Sequence, residues 1–341
     1  MTRGLFNNIL SIPGYQDAEK YWHITLERSD FFWFDLVVDP PEAQDTRHLI
    51  TDYLKELRSN VEAALEKRFI YFYTSRKKVR FDTKRQPAYS LFGFGNKLII
   101  HLIISGKKRR KLTLPAPPTI EINGKPSRPK IFVDDRFIYF QWPTFSTVAS
   151  IHDFLRLNKI SLGIASEVQY VGITKNPARR TLSREHRGYA DAIYFAPTSE
   201  NDIFLTVNTF KVMSDATAGE GWIRIISANS MTDEIPVGDE GAVIENALIH
   251  YFDAKSQQPD KDNSWAKFKN LLRVTLASKK INSISIHMEL DEPSEYDNLG
   301  SRHIEPSMSH SFVWELSERE PKLLRFKFEE ELVDYRENQD V

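Results

Sequence analysis

The chain has 341 residues, of which 41% are hydrophobic and 12% aromatic, so it is long and apolar enough for two domains with separate cores. Its formal net charge of −1 excludes a protein coated uniformly with positive charge for nucleic acid or membranes. Because cysteine is absent, disulfides, thiolate nucleophiles and cysteine-ligated zinc or iron–sulfur sites are excluded as well.

No segment of the sequence is typical of export or of membrane insertion. The N-terminal segment lacks the apolar run of a signal peptide, and no apolar stretch reaches the length of about 18 residues that a membrane-spanning helix needs. We therefore expect a soluble cytoplasmic protein without a membrane partner.

The first third of the chain predicts strands around one long helix. The apolar run at 31–38 predicts a strand that a following pair of prolines ends. In residues 42–67 apolar side chains recur every three or four positions, which predicts a helix with one buried stripe. Further strands are predicted at 69–75 and 98–105, where β-branched and aromatic residues dominate.

Positive charge is concentrated in one part of the chain. Between Arg76 and Lys130 there are 15 Lys and Arg residues but only Asp82 and Glu121 as acidic residues, which is a local charge of +13. Because one basic face is enough to hold a polyanion, and aromatic residues are interleaved with this charge, we predict that residues 1–113 form a basic, DNA-binding α/β domain. The predicted DNA contacts are Arg76, Lys77, Lys78, Arg80, Lys107, Lys108, Arg109 and Arg110.

A proline-rich connection follows at 114–135. Five prolines and an Asn-Gly turn signal predict either an inter-domain linker or an extended hairpin arm there. The next predicted unit spans 136–290, and residues 291–341 are predicted to be a β-rich extension with an acidic tail. Strands are predicted at 136–142, 168–174, 192–197, 283–290, 311–316 and 323–332, and helices at 146–159 and 241–252.

The segment from Tyr170 to Arg180 predicts a strand that runs directly into a helix. Asn176 is a suitable N-cap, and Pro177 suits the first helical position, where its missing N–H costs nothing. Local structure alone therefore explains this junction. Arg180 shares one helix face with Arg184, which is either a solvated basic face or a positive ridge that contacts DNA.

Glu245 lies on the flank of an apolar stripe in the predicted helix 241–252. Ile244, Leu248 and Tyr251 form that stripe at helical spacing. A lone carboxylate beside an apolar stripe is costly unless a cation accompanies it. Glu245 is therefore predicted to be either a metal ligand or a glutamate at the rim of the core that pairs with an arginine.

The sequence between Tyr170 and Asn263 resembles the GIY-YIG nucleases. Tyr170-Val171-Gly172 matches the second tyrosine motif of that family, Arg180 stands at the spacing of its helix arginine, and "IENALIHYFDAKSQQPDKDN" supplies its glutamate and asparagine in order. The resemblance implies a small α+β domain with a three-stranded antiparallel sheet flanked by helices.

The roles implied by this resemblance fit the needs of phosphodiester hydrolysis. Glu245 would hold Mg²⁺ or Mn²⁺, since a hard cation needs few protein ligands, and Arg180 would clamp the phosphate oxygens. Tyr170 and His186 would help to activate water, although His186 departs from the usual spacing in the family. Asn263 would orient its neighbours.

The first tyrosine motif of the family has no obvious match. Residues 162–166 contain Gly163-Ile164 but no tyrosine, so Tyr139 on the predicted strand 136–142 is the preferred candidate. In that case the predicted helix 146–159 would be inserted between the two strands. The alternative is that this motif is lost.

The sequence thus predicts a metal-dependent DNA endonuclease of a restriction or phage-defence system. One active site per chain would require a homodimer or sequential nicking to cut both strands. RNA stays open as a substrate, and the sequence does not reveal a recognition site. The competing hypotheses are a non-catalytic nucleic-acid-binding protein with a degenerate nuclease domain and a protein-interaction module.

Overall fold

The computed structural model describes residues 3–41, 45–65, 67–90, 96–122, 124–183, 187–218, 223–290, 294–316 and 320–337. These residues form helices and several sheets, so the predicted α+β class is confirmed. None of the described helices combines the length and apolarity that crossing a membrane requires.

The described helices and strands are as follows in chain order. The helices are α1 (Pro13–Asp17), α2 (Asp35–Val38), α3 (Thr46–Leu65), α4 (Ile151–Leu157), α5 (Pro177–Thr181), α6 (Arg187–Phe195), α7 (Asn229–Thr232), α8 (Val237–Phe252), α9 (Lys261–Leu271) and α10 (Glu329–Glu337). The strands are β1 (Glu19–Trp33), β2 (Phe69–Lys77), β3 (Val79–Phe81), β4 (Ala88–Tyr89), β5 (Lys97–Ile104), β6 (Lys108–Pro115), β7 (Ile120–Ile122), β8 (Lys125–Ser127), β9 (Lys130–Val133), β10 (Phe137–Gln141), β11 (Ser146–Ser150), β12 (Ser166–Thr174), β13 (Asn201–Ala218), β14 (Ile223–Ala228), β15 (Ile281–Glu289), β16 (Leu299–Gly300), β17 (Ser309–Glu315) and β18 (Lys322–Phe326).

A mixed sheet of nine strands, the main sheet, organises the molecule. Its strand order is β16-β12-β2-β13-β1-β15-β17-β18, and β14 pairs with β13. The stretch β12-β2-β13-β1 is antiparallel throughout, whereas β1 and β15 are parallel. Strands from both ends of the chain therefore share one sheet.

Helices pack on both faces of the main sheet. On one face, buried side chains of α8 and α9 such as Leu248 and Phe268 join Trp22 and Ile284 of the sheet in one hydrophobic cluster. On the other face, α3 and α6 cover the part of the sheet formed by β2 and β13, where Leu54 and Leu57 belong to a second cluster. Burial of these apolar surfaces drives the packing of the layers.

A second body of structure is inserted between β2 and β12. This inserted lobe comprises β3 to β11 and α4, arranged in three small sheets. His152 of α4 fastens it to the main sheet, since its ring nitrogens lie 3.1 Å from Asp202 Oδ2 and 2.9 Å from the Tyr296 hydroxyl. Burial lowers the pKa of His152, and Asp202 opposes that shift.

Three predicted strands or helices differ from the structure. The apolar run 31–38 ends β1 and then forms α2. Residues 146–159 form β11 followed by α4, because Ser150 accepts a hydrogen bond from the Asp153 amide and so begins the helix. Residues 192–197 belong mostly to α6, in which Tyr189, Ala192 and Ala196 are buried at helical spacing.

Two further differences between the predicted and the observed structure concern strands. The predicted strand 323–332 is β18 followed by the start of α10. β13, which is the longest strand of the main sheet, was not predicted from the sequence. The remaining predicted strands and the helices at 42–67 and 241–252 are present with shifted ends.

The predicted domain boundaries at 113, 135 and 290 do not coincide with the division between the sheets. β1 and β2, which were assigned to the N-terminal domain, pair with β13, β12 and β15. The three-stranded antiparallel sheet implied by the resemblance stays a prediction, and β12, β2 and β13 are antiparallel neighbours within the larger main sheet. The proline-rich connection contains the β7–β8 hairpin and β9.

Candidate active site

Three tyrosines from two adjacent strands lie on one face of the main sheet. β2 pairs with β12 so that Tyr73 lies opposite Tyr170 and Tyr71 lies opposite Gly172. The rings of Tyr71 and Tyr170 are stacked with centroids 6.0 Å apart, and those of Tyr73 and Tyr170 are 6.3 Å apart. The Tyr71 hydroxyl donates a hydrogen bond to that of Tyr170, and the Tyr73 hydroxyl donates one to the Thr181 carbonyl at 2.6 Å.

Gly172 permits this close packing of tyrosines. A Cβ atom at this position would lie 2.5 Å from both Cζ and the hydroxyl oxygen of Tyr71, and 2.8 Å from a ring carbon of Tyr170. Any side chain would therefore push the two rings apart. This contact gives a physical reason for glycine as the third residue of Tyr-Val-Gly.

Arg180 reaches the tyrosines from the helix that follows β12. The Asn176 side chain accepts a hydrogen bond from the Arg179 amide at 3.1 Å, and Pro177 occupies the first turn, so the predicted start of this helix is confirmed. The Arg180 guanidinium donates a hydrogen bond to the Tyr71 hydroxyl. Its side chain is otherwise exposed and can meet a ligand from solvent.

Glu245 approaches the same group around the edge of the sheet. Its helix, α8, packs on β12, and a Cβ at Gly241 would lie 2.6 Å from Ile173 Cδ1, so glycine is needed for the close contact. In the described residues β16 covers the outer edge of β12 only at Ser166 and Glu167. Farther along this edge, the Ile173 amide donates a hydrogen bond to the Glu245 carboxylate.

Burial and charge set the protonation of the site. Burial raises the pKa of Glu245 to about 7, and the Ile173 amide and Arg180 oppose that shift. Burial raises the pKa of Tyr170 as well, with a contribution from Glu245, whereas Tyr71 and Arg180 lower it. The pKa of Tyr71 is raised by burial. The tyrosines are therefore neutral hydrogen-bonding groups at neutral pH.

An open groove lies beside this group. It has a volume of about 590 Å³ and is bordered by β12 and α5, with Lys175, Arg179 and Arg180 as its basic residues. Asn176 and Arg179 also border a second groove of about 390 Å³ between α3 and α5, where Lys55 and Arg58 lie. Basic residues exceed acidic ones along both grooves, although Arg58 in the second groove pairs with Glu62 at 2.9 Å.

Tyr139 does not join the site, which corrects the predicted choice of first tyrosine. It lies on β10 in the separate sheet β9-β10-β11 of the inserted lobe, where its hydroxyl donates to Asp134 at 2.7 Å. The strand beside β12 is β2, which supplies Tyr71 and Tyr73. The sequence signal for this was the alternation of tyrosines in "FIYFY", a segment that was predicted to be a strand but not a motif.

Three other predicted residues are not brought to the site by the described structure. His186 and Arg184 lie outside the described residues. Asn263 is exposed on the first turn of α9, and its role stays a prediction. The edge of β12 is instead covered by Gln257, whose amide pairs with the Val171 N–H and C=O at 3.1 and 2.8 Å.

Two predicted DNA contacts are structural ion pairs. Arg76 is buried, with Nη2 2.6 Å from Glu295 Oε1, and Arg80 binds Asp202 at 2.8 Å. Neither guanidinium is available to a phosphate, because each is already committed to a carboxylate inside the fold. Burial keeps both arginines from contacting DNA, and a run of basic residues in the sequence does not show which of them are buried.

The other predicted contacts lie at the surface of the inserted lobe or at its base. Lys107, Lys108 and Arg109 are exposed at the β5–β6 hairpin, and Arg109 Nε lies 3.4 Å from Asp82. Arg110 donates to the Leu162 carbonyl at 3.0 Å. Lys77 is exposed, and Lys78 donates to the Thr198 carbonyl.

Comparison of the chain with protein-family models, curated proteins and solved structures gave no match in any of the three. A functional assignment therefore depends on the geometry and chemistry of the side chains.

Proposed function

We propose that the chain is a divalent-metal-dependent endonuclease that hydrolyses DNA phosphodiester bonds, with an active site of the GIY-YIG kind. The observation that supports this proposal is that two tyrosines, an arginine and a glutamate interact with one another, and that the arginine borders an open groove. These side chains come from three separate stretches of the chain, namely β2, the adjoining β12 and α5, and α8. The size of the chain and the inserted lobe favour a restriction or phage-defence nuclease.

The Glu245 carboxylate fits a divalent cation. Its pKa is raised because burial disfavours the charged form, so a cation that binds the carboxylate would relieve that cost. A single carboxylate with waters is a normal ligand set for Mg²⁺ or Mn²⁺. When bound, the metal would neutralise charge on the phosphate and stabilise the leaving oxygen.

The other three side chains supply binding and proton transfer. Arg180 is held by Tyr71 and exposed to the groove, so its remaining donors can bind the non-bridging oxygens of a phosphate. Burial and Glu245 raise the pKa of Tyr170, and the hydrogen bond from Tyr71 and the nearby Arg180 only oppose that shift, so its hydroxyl is neutral. Tyr170 would therefore relay a proton from the attacking water once a bound cation lowers its pKa.

The basic grooves on either side of α5 provide the path for the DNA backbone. Lys175 and Arg179 border the groove beside the site, and the exposed β5–β6 hairpin of the inserted lobe adds a second basic surface. Contacts of this kind hold the duplex without reading its sequence. One site cuts one strand, so double-strand cleavage needs a homodimer or two sequential cuts.

Cleavage of supercoiled plasmid by the wild type and by Glu245→Gln, in Mg²⁺ and in Mn²⁺, tests the proposal. We expect the substitution to abolish cleavage and to leave DNA binding unchanged, because Glu245 holds the metal and not the duplex. Asp239→Asn is a matched control, since Asp239 lies in the first turn of the same helix. Its cleavage should equal that of the wild type.

Three results would contradict the proposal. A wild-type protein that binds DNA but never cuts it, in either metal, would be a non-catalytic binding protein. A wild-type protein that binds neither DNA nor RNA at low salt would have no nucleic-acid function. Cleavage of RNA but not of DNA would keep the site and change the substrate.

A further inference from the structure

A second group of metal-ligating side chains lies at the start of α10. His287 and Glu289 are on β15, and Glu329 is the first residue of the helix. Nε2 of His287 lies 3.7 Å from Oε2 of each glutamate, and the three ligand atoms lie within 4.8 Å of one another. We propose that these side chains bind a divalent transition-metal ion, such as Zn²⁺, that fastens α10 to the main sheet.

The imidazole of His287 is oriented for this role. Its strand neighbours Ile286 and Met288 are buried in the core under α8 and α9, so His287 points to the opposite face of the sheet. The side chain of His287 is only 10% exposed, and Nδ1 lies 2.9 Å from Ser311 Oγ. With Nδ1 donating to Ser311, the Nε2 lone pair faces the two carboxylates, as in histidines that bind metals.

The two glutamates face His287 Nε2 from two sides. Both of their oxygens lie 3.7 Å from this nitrogen, too far for a hydrogen bond, so the space between the three atoms is open to a ligand. Two carboxylates close together also repel each other unless a cation accompanies them. A metal ion between the three atoms would bind the imidazole and relieve that repulsion.

The carboxylates can close on an ion without rearrangement of the fold. The side chains of Glu289 and Glu329 are 64% and 54% exposed, so both can turn toward an ion. Ligand atoms around tetrahedral zinc are about 3.3 Å apart, which is a few tenths of an ångström less than the 3.7 Å from His287 Nε2 to each carboxylate. The first turn of α10 is fixed by Glu331, which accepts a hydrogen bond from the Lys327 amide at 2.9 Å. One imidazole with two carboxylates favours zinc over Mg²⁺ or Ca²⁺.

This site is separate from the candidate active site. β15 is the fourth strand from β12 in the main sheet, so the two sites are about 19 Å apart by the spacing of strands. An ion at His287 therefore cannot be the one that Glu245 would hold. The proposal is independent of the proposed nuclease activity.

An ion here would have a mechanical effect on the C-terminal helix. α10 is anchored by Leu332, which is fully buried, and by Arg336, which donates to Ser285 Oγ at 2.8 and 3.1 Å. The helix borders a pocket of about 310 Å³ that His23 and Arg224 also line. Leu332 and Arg336 already hold the middle and the C-terminal part of α10. Metal binding at Glu329 would also fix its N-terminal end and so hold the whole helix beside this pocket.

Zinc titration of the full chain by calorimetry tests the inference. The Glu245→Gln variant is the parent, so that the candidate catalytic metal does not contribute. We expect one zinc ion per chain after treatment with a chelator, and a loss of affinity of at least about tenfold in the additional variant His287→Ala. His303→Ala is the control, because His303 faces the single carboxylate of Asp253 at 3.6 Å and should leave zinc binding unchanged.

Two exposed substitutions separate a lost ligand from a damaged fold. Glu289→Gln and Glu329→Gln should melt like the parent without metal and should remove the rise in Tm that zinc causes in the parent. No zinc binding by the parent would overturn the inference. So would an unchanged affinity in His287→Ala, or a zinc-dependent rise in Tm that both glutamine variants retain.

Discussion

Burial and the charge of Arg180 act in opposite directions on the pKa of the Glu245 carboxyl group. Burial raises its pKa to about 7, above the value of 4.5 expected in an unfolded chain. The folded state therefore holds its proton more tightly, and the metal-free fold loses stability as the pH rises from 4.5 to 7. Below pH 4.5 both states are protonated and the cost is absent.

This linkage predicts that Glu245→Gln stabilises the metal-free protein at alkaline pH. The free energy of unfolding should rise by about 1–3 kcal/mol at pH 8, because the variant has no buried charge, and should change little at pH 4.5. Denaturant unfolding in the presence of a chelator measures both values, with Asp239→Asn as control. An equal effect at the two pH values would show that Glu245 does not titrate in the fold.

At the scale of elements, the sequence predicts where helices and strands occur better than it predicts which of them pack together. The strand at 69–75 was predicted from its β-branched and aromatic residues, and the helix at 42–67 was predicted from apolar side chains that recur every three or four positions. Residues 192–197 are a short apolar run that fits either state, and only packing against the sheet makes them helical. β13 was missed because polar residues such as Asn208 and Asp215 are buried in it.

Only part of the candidate site was predicted, because the sequence indicates segments but not which strands pair. Tyr170, Arg180 and Glu245 follow one another in a single region of the sequence, and the resemblance of that region to the GIY-YIG motifs grouped them into one predicted site. Tyr71 is separated from them by the whole inserted lobe, so its pairing with β12 is a long-range contact that no local pattern contains. In the basic run at 76–80, Arg76 and Arg80 form ion pairs inside the fold, and the sequence does not distinguish their charge from that of a binding surface.

Substitutions in β2 and in the β5–β6 hairpin should distinguish basic residues that stabilise the fold from basic residues that bind DNA. Arg76→Ala would leave Glu295 buried without its partner and should cost about 3–5 kcal/mol of stability. Lys107→Ala with Lys108→Ala removes exposed charge from the β5–β6 hairpin. We expect this pair to leave stability unchanged and to weaken DNA binding with a reduced dependence on salt.

Thermal melting and DNA binding at two salt concentrations measure these outcomes. If Arg76→Ala folds as stably as the wild type but loses DNA binding, Arg76 contacts DNA and the ion pair with Glu295 is not structural. If the double lysine variant binds as tightly as the wild type at both salt concentrations, the hairpin is not part of the DNA surface.

At the scale of the whole molecule, one sheet draws together segments from the entire described chain. β1 and β2 come from the first quarter, β12 and β13 from the middle, and β15 and β17 from the last quarter. The inserted lobe leaves this sheet after β2 and returns to it at β12. As a result, the two tyrosine strands of the candidate site are adjacent in space although a lobe separates them in sequence.

The comparison of Tyr71→Phe with Tyr139→Phe tests this arrangement most directly. Both substitutions remove one hydroxyl from a strand tyrosine, but only Tyr71 contacts Arg180 and Tyr170. Plasmid cleavage should fall by at least about tenfold in Tyr71→Phe, because a positioned hydrogen bond at the reacting group is lost, and should be unchanged in Tyr139→Phe. Loss of cleavage in Tyr139→Phe with full activity in Tyr71→Phe would contradict the account.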